Sequence, residues 1–315
     1  MLVLAAASSG AGVFFQQIEN GVTLGAMYAL VALGYTLVYG IIELINFAHG
    51  DVFMWGTLVT FVVVQRLGVS SPPSGVGLVA LLFGLLIIGM VVSGVINVSI
   101  ERLAYKPLRR APRLAPLIAA IGVSFILENV AQLWRGSVQV AFPTIFPVVG
   151  ITIGSVRVNA LDIFIVVFAV VLMYGLDRFI RGTRMGKAMR ATAQDPEAAA
   201  LMGVNVDRTI SITFLIGGAL AGAAALFYNM YFGQVWYLTG FQLGLIAFTA
   251  AVLGGIGNIY GAVLGGFLIG LVQALAVQYL PDGFNWSTAI VFAILVLILV
   301  VRPSGLLGQQ VPDKV

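Results

Sequence analysis

Apolar segments about 20 residues long recur from one end of the chain to the other, separated by short polar stretches. A segment of that length crosses the hydrocarbon core of a bilayer as a helix. Of the 315 residues, 60% are hydrophobic and only 9% are charged, whereas about 25% are charged in a soluble domain. The composition excludes a soluble globular enzyme, a disordered chain and a fibrous repeat. We predict an all-α, polytopic transmembrane helical bundle that forms a single domain over residues 1–315.

The apolar segments predict about eight or nine membrane spans. The candidate spans are residues 21–42, 52–66, 76–100, 114–133, 159–180, 209–232, 241–279 and 286–301. A polar string at 43–51 interrupts the first long apolar region, and a glycine-rich string at 254–258 interrupts the region 241–279. Each interruption predicts two helices or half-helices that meet at an irregular turn, so we expect broken or re-entrant helices.

Pairs of glycines four residues apart occur inside several apolar segments. The pairs are Gly21 and Gly25, Gly218 and Gly222, Gly261 and Gly265, and Gly266 and Gly270. This spacing lets helix backbones approach closely in lipid. It therefore predicts a compact bundle and carries no information about a substrate.

Basic residues are concentrated in two loops. Residues 101–113 and 177–208 together hold 11 of the 16 lysines and arginines, and cytoplasmic loops of membrane proteins are enriched in these residues. Both loops are therefore predicted to be cytoplasmic, and the net charge of +4 reflects membrane orientation, with no nucleic-acid partner expected. The segment 134–158 between them is then external, where alternating valine and isoleucine residues suggest a small hairpin.

Few residues in the chain could carry out chemistry. It has one histidine, His49, and no cysteine, so neither a metal site of several histidines nor a thiolate site can form. The segment 182–188 resembles a phosphate-binding loop but is one residue short between its glycines, and Ala188 stands where serine or threonine is required. We therefore expect no cofactor, no catalytic residue and no hydrolysis of ATP by this chain itself.

The polar string at 43–51 is the first candidate for a transport pathway. It contains Glu43, Asn46, His49 and Asp51, which are costly in an apolar segment unless they face a cavity, a partner or the surface. One interpretation is a broken helix that lines the pathway; the other is a cytoplasmic turn with solvated side chains. A second break that could line or hinge the pathway contains Gly254, Gly255, Gly257 and Asn258.

Glu128 and Asn129 form the second polar feature inside an apolar segment. A carboxylate that faced lipid would be unfavourable, so we expect both side chains to face the interior of the bundle. They could line the pathway, or they could form hydrogen bonds between helices that serve packing alone.

The cytoplasmic loop at about 181–208, the candidate coupling loop, predicts a short helix. Asp195 is a favourable N-cap, Pro196 suits the first helical position, and Glu197 lies in the first turn. Alanines that include Ala198 and Ala199 follow, and Gly203 is placed to end the helix. A two-turn helix is marginal alone in water and needs a surface to dock on. The alternative is an ordinary connecting loop.

Three strings indicate a family resemblance that covers residues 20 to 300. They are GYTLVYGIIELINFAHGDVFMWG at 34–56, DPEAAALMGVN at 195–205 and AFTAAVLGGIGNIYGAVLGGFLIGLVQ at 247–273. The chain resembles the LivH-type permease subunits of branched-chain amino-acid ABC importers, whose short cytoplasmic helix, with a Glu-Ala-Ala core, docks on an ATPase. The core here is Glu197, Ala198 and Ala199.

The resemblance implies a location and a set of partners. It implies the cytoplasmic (inner) membrane of a bacterium or archaeon, a second related permease subunit, two cytoplasmic ABC ATPases and a periplasmic substrate-binding protein. The related permeases for urea and short-chain amides share much of this pattern. From other classes, an ion-driven secondary amino-acid transporter or channel and an assembly scaffold remain as alternatives.

Overall fold

The structure is a computed structural model that describes residues 10–109, 111–112, 114–154 and 156–308. Nine long helices and three short ones account for most of this part of the chain. The helices are α1 (Gly10–Ile42), α2 (His49–Arg66), α3 (Val76–Ile100), α4 (Lys106–Leu108), α5 (Leu114–Arg135), α6 (Ala160–Gly182), α7 (Arg184–Gln194), α8 (Pro196–Leu201), α9 (Val206–Phe232), α10 (Thr239–Gly254), α11 (Ile259–Tyr279) and α12 (Gly283–Val301). A π-helical segment, Glu101–Tyr105, joins α3 to α4.

Seven of these helices are long and apolar enough to cross a membrane. The predicted count of eight or nine spans was therefore slightly high by this measure, although each predicted segment does form a helix. The two that fall short are α2, which begins and ends with polar residues, and α10, which has 16 residues. At about 1.5 Å per residue, α10 extends roughly 24 Å, less than the thickness of the hydrocarbon core.

Helix α1 runs through the centre of the bundle. Residues 26–33 are at most 3% exposed, as expected for a helix that is apolar on all sides. Its main neighbour is α11, and the two backbones approach closely because both contribute glycines. A Cβ atom added at Gly25 would lie 2.7 Å from the Cα atom of Phe267, and one added at Gly266 would lie 2.6 Å from the Cα atom of Ala29.

Helices α3 and α9 form the second close helix pair. A Cβ atom added at Gly218 would lie 2.6 Å from the carbonyl oxygen of Ser93, and one added at Gly222 would overlap the backbone of Gly89. The predicted role of the glycine pairs in close helix packing is therefore confirmed for Gly218 and Gly222.

One end of the bundle carries two short antiparallel sheets. Strand β1 (Val140–Ala141) pairs with β4 (Gln234–Val235), and β2 (Gly150–Ile153) pairs with β3 (Val156–Asn159). The second pair is the hairpin predicted within 134–158. It contacts the start of α1, where the side chain of Gln16 exchanges hydrogen bonds with the backbone of Arg157.

The two basic loops lie together at the opposite end. The ammonium group of Lys106 is 2.8 Å from the carboxylate of Asp207, which links the first basic loop to the start of α9. At the same end, the hydroxyl of Tyr260 donates to Asp177 over 2.9 Å. The predicted even number of crossings between the two loops is therefore consistent with the fold, and we refer to this end as the basic end and to the end with the sheets as the outer end.

Candidate translocation and coupling sites

The polar string at 43–51 forms the break between α1 and α2, and this break lies inside the bundle. Helix α1 ends at Ile42, Glu43 takes a left-handed backbone conformation with φ of 52°, and the chain folds back before α2 begins. The ring of His49 lies directly against Gly34, eight residues before the end of α1. At about 1.5 Å per residue, the start of α2 therefore lies roughly 12 Å deeper in the bundle than the end of α1.

Three of the four predicted polar side chains in this string are buried. Asn46, His49 and Asp51 are at most 1% exposed, and no side chain caps the start of α2. Their burial contradicts a solvated turn, and it agrees with a broken helix. Glu43, by contrast, lies at the surface.

Hydrogen bonds connect the broken segment to α3, α9 and the π-helical segment. The side-chain amide of Asn46 donates to the Oδ1 atom of Asn97 over 3.1 Å, and the amide of Asn97 donates to the carbonyl oxygen of Phe214 over 2.7 Å. The hydroxyl of Tyr105 donates to the carbonyl oxygen of Ile45 over 3.1 Å. A displacement of this segment would therefore disturb three neighbouring elements at once.

Asp51 connects the same segment to α5. Its carboxylate accepts a hydrogen bond from the hydroxyl of Ser124, and Glu128 follows one turn later on α5, where it is half-buried. The expectation that Asn129 faces the interior was wrong, because this residue is exposed and its amide donates to the carbonyl oxygen of Phe125 in its own helix. Of the two predicted residues, only Glu128 lies on the partly covered face of α5.

The glycine-rich string 254–258 forms a tight turn at the basic end between α10 and α11. Gly255 and Gly257 adopt positive φ values of 106° and 91°, and Asn258 caps α11 by accepting from the backbone N–H groups of residues 260 and 261. The backbone N–H of Leu307 donates to the carbonyl oxygen of Gly254 over 2.9 Å. The segment that follows α12 therefore holds this turn in place. The turn lies at the end of the bundle, whereas the break at 43–51 lies inside it.

The predicted short helix in the basic loop is present as α8. The Oδ1 atom of Asp195 accepts from the backbone N–H groups of Glu197 and Ala198 over 2.9 and 3.0 Å. Pro196 occupies the first helical position. Gly203 follows the helix with φ of 84°, as its proposed role in ending the helix requires.

Most of α8 is exposed, and Ala199 is its one buried residue. Ala199, which was expected to belong to the docking face, is 4% exposed and packs against the chain itself. Leu201 and Met202 are 89% and 85% exposed at the tip of the helix. Large exposed apolar side chains are typical of interaction surfaces, and Glu197, Ala198 and Ala200 beside them are also exposed.

A longer helix, α7, precedes α8 and was not predicted. The hydroxyl of Thr183 caps it by accepting from the backbone N–H of Gly186 over 3.0 Å. A side chain at Gly186 would overlap the carbonyl of Ile180, and Arg190 donates to the same carbonyl. The glycine that resembled part of a phosphate-binding loop therefore allows a sharp corner between α6 and α7. Thr183, a favourable N-cap residue, is the feature of the sequence that could have predicted the start of α7.

A charged cluster joins the two basic loops beneath the broken segment. Glu101, in the π-helical segment, is fully buried and pairs with the guanidinium group of Arg109. The hydroxyl of Ser211 also donates to Glu101 over 2.7 Å. A second nitrogen of Arg109 is 2.6 Å from the carboxylate of Asp207, so Arg109 bridges one buried and one exposed carboxylate.

Comparison with known proteins identifies the family. The family model described as the permease component of branched-chain amino acid transport systems matches residues 17–299. The high-affinity branched-chain amino acid transport system permease protein LivH of Escherichia coli K12 is 44% identical over 306 residues, which cover 96% of this chain and 98% of the relative. The permease protein BraD of Pseudomonas aeruginosa is 41% identical over 309 residues, with the same coverage.

A more distant relative is archaeal. The probable branched-chain amino acid transport permease LivH of Methanocaldococcus jannaschii is 28% identical over 306 residues, or 92% of this chain and 91% of the relative. No solved structure matches the chain significantly. Since the family model and the relatives span nearly all of the sequence, this multi-pass membrane protein belongs to the family of permease components of branched-chain amino acid transport systems.

Proposed function

We propose that the chain is a permease subunit of a binding-protein-dependent ABC importer and forms half of the translocation pathway for branched-chain amino acids. A second related permease supplies the other half, and two ATPases bind at the cytoplasmic side. A periplasmic binding protein delivers substrate to the outer end. The family membership and the high identity to LivH and BraD support this proposal.

The observation that carries the proposal is the exposed tip of α8 at the basic end. The concentration of lysine and arginine makes this end cytoplasmic, where an ATPase is available. Leu201 and Met202 project away from the bundle, and Asp195 and Gly203 fix the start and end of the helix. A small rigid helix with an apolar tip suits insertion into a groove on a partner.

Replacing Met202 by aspartate is expected to lower ATPase copurification with the assembled complex by about tenfold or more, since a central apolar contact in an interface is worth roughly 2 kcal/mol. Leu67, which is 61% exposed at the outer end, supplies a matched control. The variant Leu67→Asp should retain the ATPases. Equal recovery of ATPase with Met202→Asp and wild type would exclude α8 as the coupling element.

We further propose that the broken segment 43–51 moves when access alternates between the two sides. It is irregular backbone inside a helical bundle, and in membrane proteins such backbone is tolerated only where protein or a cavity surrounds it. Through Tyr105 and Asn97 it is bonded to elements that continue to the basic end. Motion of α8 and α9 therefore has a direct physical route to this segment.

The variant Asn46→Leu is expected to lower uptake of radiolabelled leucine by at least about fivefold while assembled complex persists, because each buried hydrogen bond lost with this side chain costs only about 1–3 kcal/mol of stability. Uptake and the amount of complex are measured in the same cells. Asn285→Leu, at an exposed position near the start of α12, is the control. Unchanged uptake, or an equal loss of complex and uptake, would assign Asn46 a purely structural role.

A further inference from the structure

Helix α5 lies at the edge of the bundle and is little covered by the rest of the chain. Its main neighbours in the described structure are α2 and the π-helical segment. The indole ring of Trp134 stacks on that of Trp55, and the indole N–H of Trp55 donates to the carbonyl oxygen of Leu127 over 3.2 Å. Only three of the 22 residues of α5 are buried, namely Pro116, Ala120 and Ala131. Most of the helix therefore faces something other than this bundle.

One exposed face of α5 is apolar. Ile126, Val130 and Leu133 are exposed, and their spacing of four and three residues places them on one side of the helix. Lipid chains are as apolar as these side chains. This face therefore needs no protein partner.

A second face of α5 is polar. Ser124, Glu128 and Gln132 recur at intervals of four residues, so they lie on one side of the helix. All three are half-buried, and Asn129, next to Glu128, is exposed. At about 100° per residue, this row points roughly opposite to the apolar face. The two faces of α5 therefore have different surroundings.

The polar face lies at the depth of the hydrocarbon core. Glu128 precedes the end of α5 at Arg135 by seven residues, or roughly 10 Å at about 1.5 Å per residue. In the described part of the chain, the Glu128 carboxyl group makes no ion pair with a lysine or arginine. Ionisable side chains in membrane spans almost always face protein or a water-filled cavity. Lipid therefore does not cover this face.

The polar face is also in direct contact with the broken segment. The hydroxyl of Ser124 donates to the Oδ2 atom of Asp51, which is buried in the first turn of α2. The Oδ1 atom of Asp51 has no hydrogen-bond donor among the described residues. A displacement of the segment 43–51 would therefore act directly on the polar face of α5.

We infer that the polar face of α5, formed by Ser124, Glu128, Asn129 and Gln132, lines an aqueous passage between this chain and the second permease subunit. The translocation pathway then runs along the outside of this bundle, and the opposite face of α5 contacts lipid. The inference rests on the proposed function, since it assumes that a second permease is present. It adds the surface of the chain that faces this partner and the side chains that contact water.

Single cysteines in α5 test whether the polar face contacts water, because the chain has no cysteine of its own. The test variants are Asn129→Cys and Gln132→Cys. The controls are Ile126→Cys and Val130→Cys, at similar depths on the apolar face. N-ethylmaleimide reacts with the thiolate, which forms in water and not in lipid, so we expect labelling of assembled complex in native membranes to be at least about tenfold faster in the test variants.

The same variants test whether the passage carries substrate. Complete labelling of Asn129→Cys is expected to abolish most leucine uptake, because the adduct obstructs the passage. Val130→Cys treated in the same way should retain its uptake. A crevice that is unrelated to transport would be labelled without any loss of uptake.

Photocross-linking tests what lies across the passage. Phe125 is exposed four residues before Asn129, and p-benzoylphenylalanine at this position keeps an aromatic side chain. We expect it to form a cross-link to an epitope-tagged second permease, detected by immunoblotting. The same photoreactive residue at Val130, on the apolar face, is the control and should give no such cross-link.

Three results would overturn the inference: equal labelling rates on the two faces, full uptake after complete labelling of Asn129→Cys, or no cross-link from position 125 to the second permease. Leucine uptake and copurification of the second permease are measured with the wild type in parallel. Any of the three results in a complex that is active and contains both permeases would refute the passage alone. Absence of wild-type uptake or of the second permease would refute the proposed function.

Discussion

The variant Gly222→Leu is expected to accumulate at less than about a tenth of the wild-type level of folded protein. A Cβ atom at this position would overlap the backbone of Gly89 and lie 2.9 Å from the Cα atom of Met90. Backbone atoms cannot move aside as a flexible side chain can, so α3 and α9 would have to separate. Overpacking costs about 1–3 kcal/mol where a core can adjust, and a backbone contact between two rigid helices offers less adjustment.

Gly84→Leu is the matched control for this substitution. Gly84 lies on α3, the helix that α9 contacts, but an added Cβ atom there meets no atom within 4 Å. Fluorescence-detected size-exclusion chromatography of detergent extracts measures folded protein for both variants. Similar profiles for Gly222→Leu and Gly84→Leu would show that close contact between α3 and α9 does not limit folding.

The sequence predicted the helical segments and their breaks because both depend on local chemistry. Apolar length placed the long helices, and the polar string beginning at Glu43 marked the point where α1 stops. Asp195 and Pro196 predicted the start of α8 because capping needs only the neighbouring backbone. The charge distribution likewise grouped the two basic loops at one end, where the salt bridge between Lys106 and Asp207 joins them.

The orientation of side chains around a membrane helix was harder to predict. In a soluble helix the polar face is exposed, but lipid and protein interior are both apolar, so hydropathy does not separate the two faces. Asn129 was therefore expected to be inside and is outside. Ala199 was expected on the docking face and is buried, because an alanine suits either side of a short helix.

The cavity of about 470 Å³ at the outer end was not predicted because its parts are distant in sequence. Its lining residues Asn20, Asp162 and Asn229 are separated by more than 60 residues each along the chain, and each lies near the end of an apolar segment. Such residues usually mark a membrane boundary. Only the packing of α1, α6 and α9 brings them together under the segment 142–148.

Removal of the positive charge at Arg109 is expected to have the second large effect. In the variant Arg109→Met, the fully buried carboxylate of Glu101 keeps, among the described residues, only its hydrogen bond from Ser211. Breaking a buried ion pair by removing one partner costs about 3–5 kcal/mol, which is a large fraction of the stability of a folded protein. We expect a strong decrease in the apparent Tm of the purified subunit, and nanoscale differential scanning fluorimetry measures this Tm.

Lys106 provides the matched control, because it pairs with Asp207 as Arg109 does. Its ammonium group and the Asp207 carboxylate are both about half-exposed, and an exposed pair contributes only about 0–1 kcal/mol. Lys106→Met should therefore leave the Tm nearly unchanged. The double variant Glu101→Gln with Arg109→Met should recover much of the loss, because it removes the unpaired buried charge. An equal decrease for Lys106→Met and Arg109→Met, or no recovery in the double variant, would show that the buried charge of Glu101 is not what Arg109 stabilises.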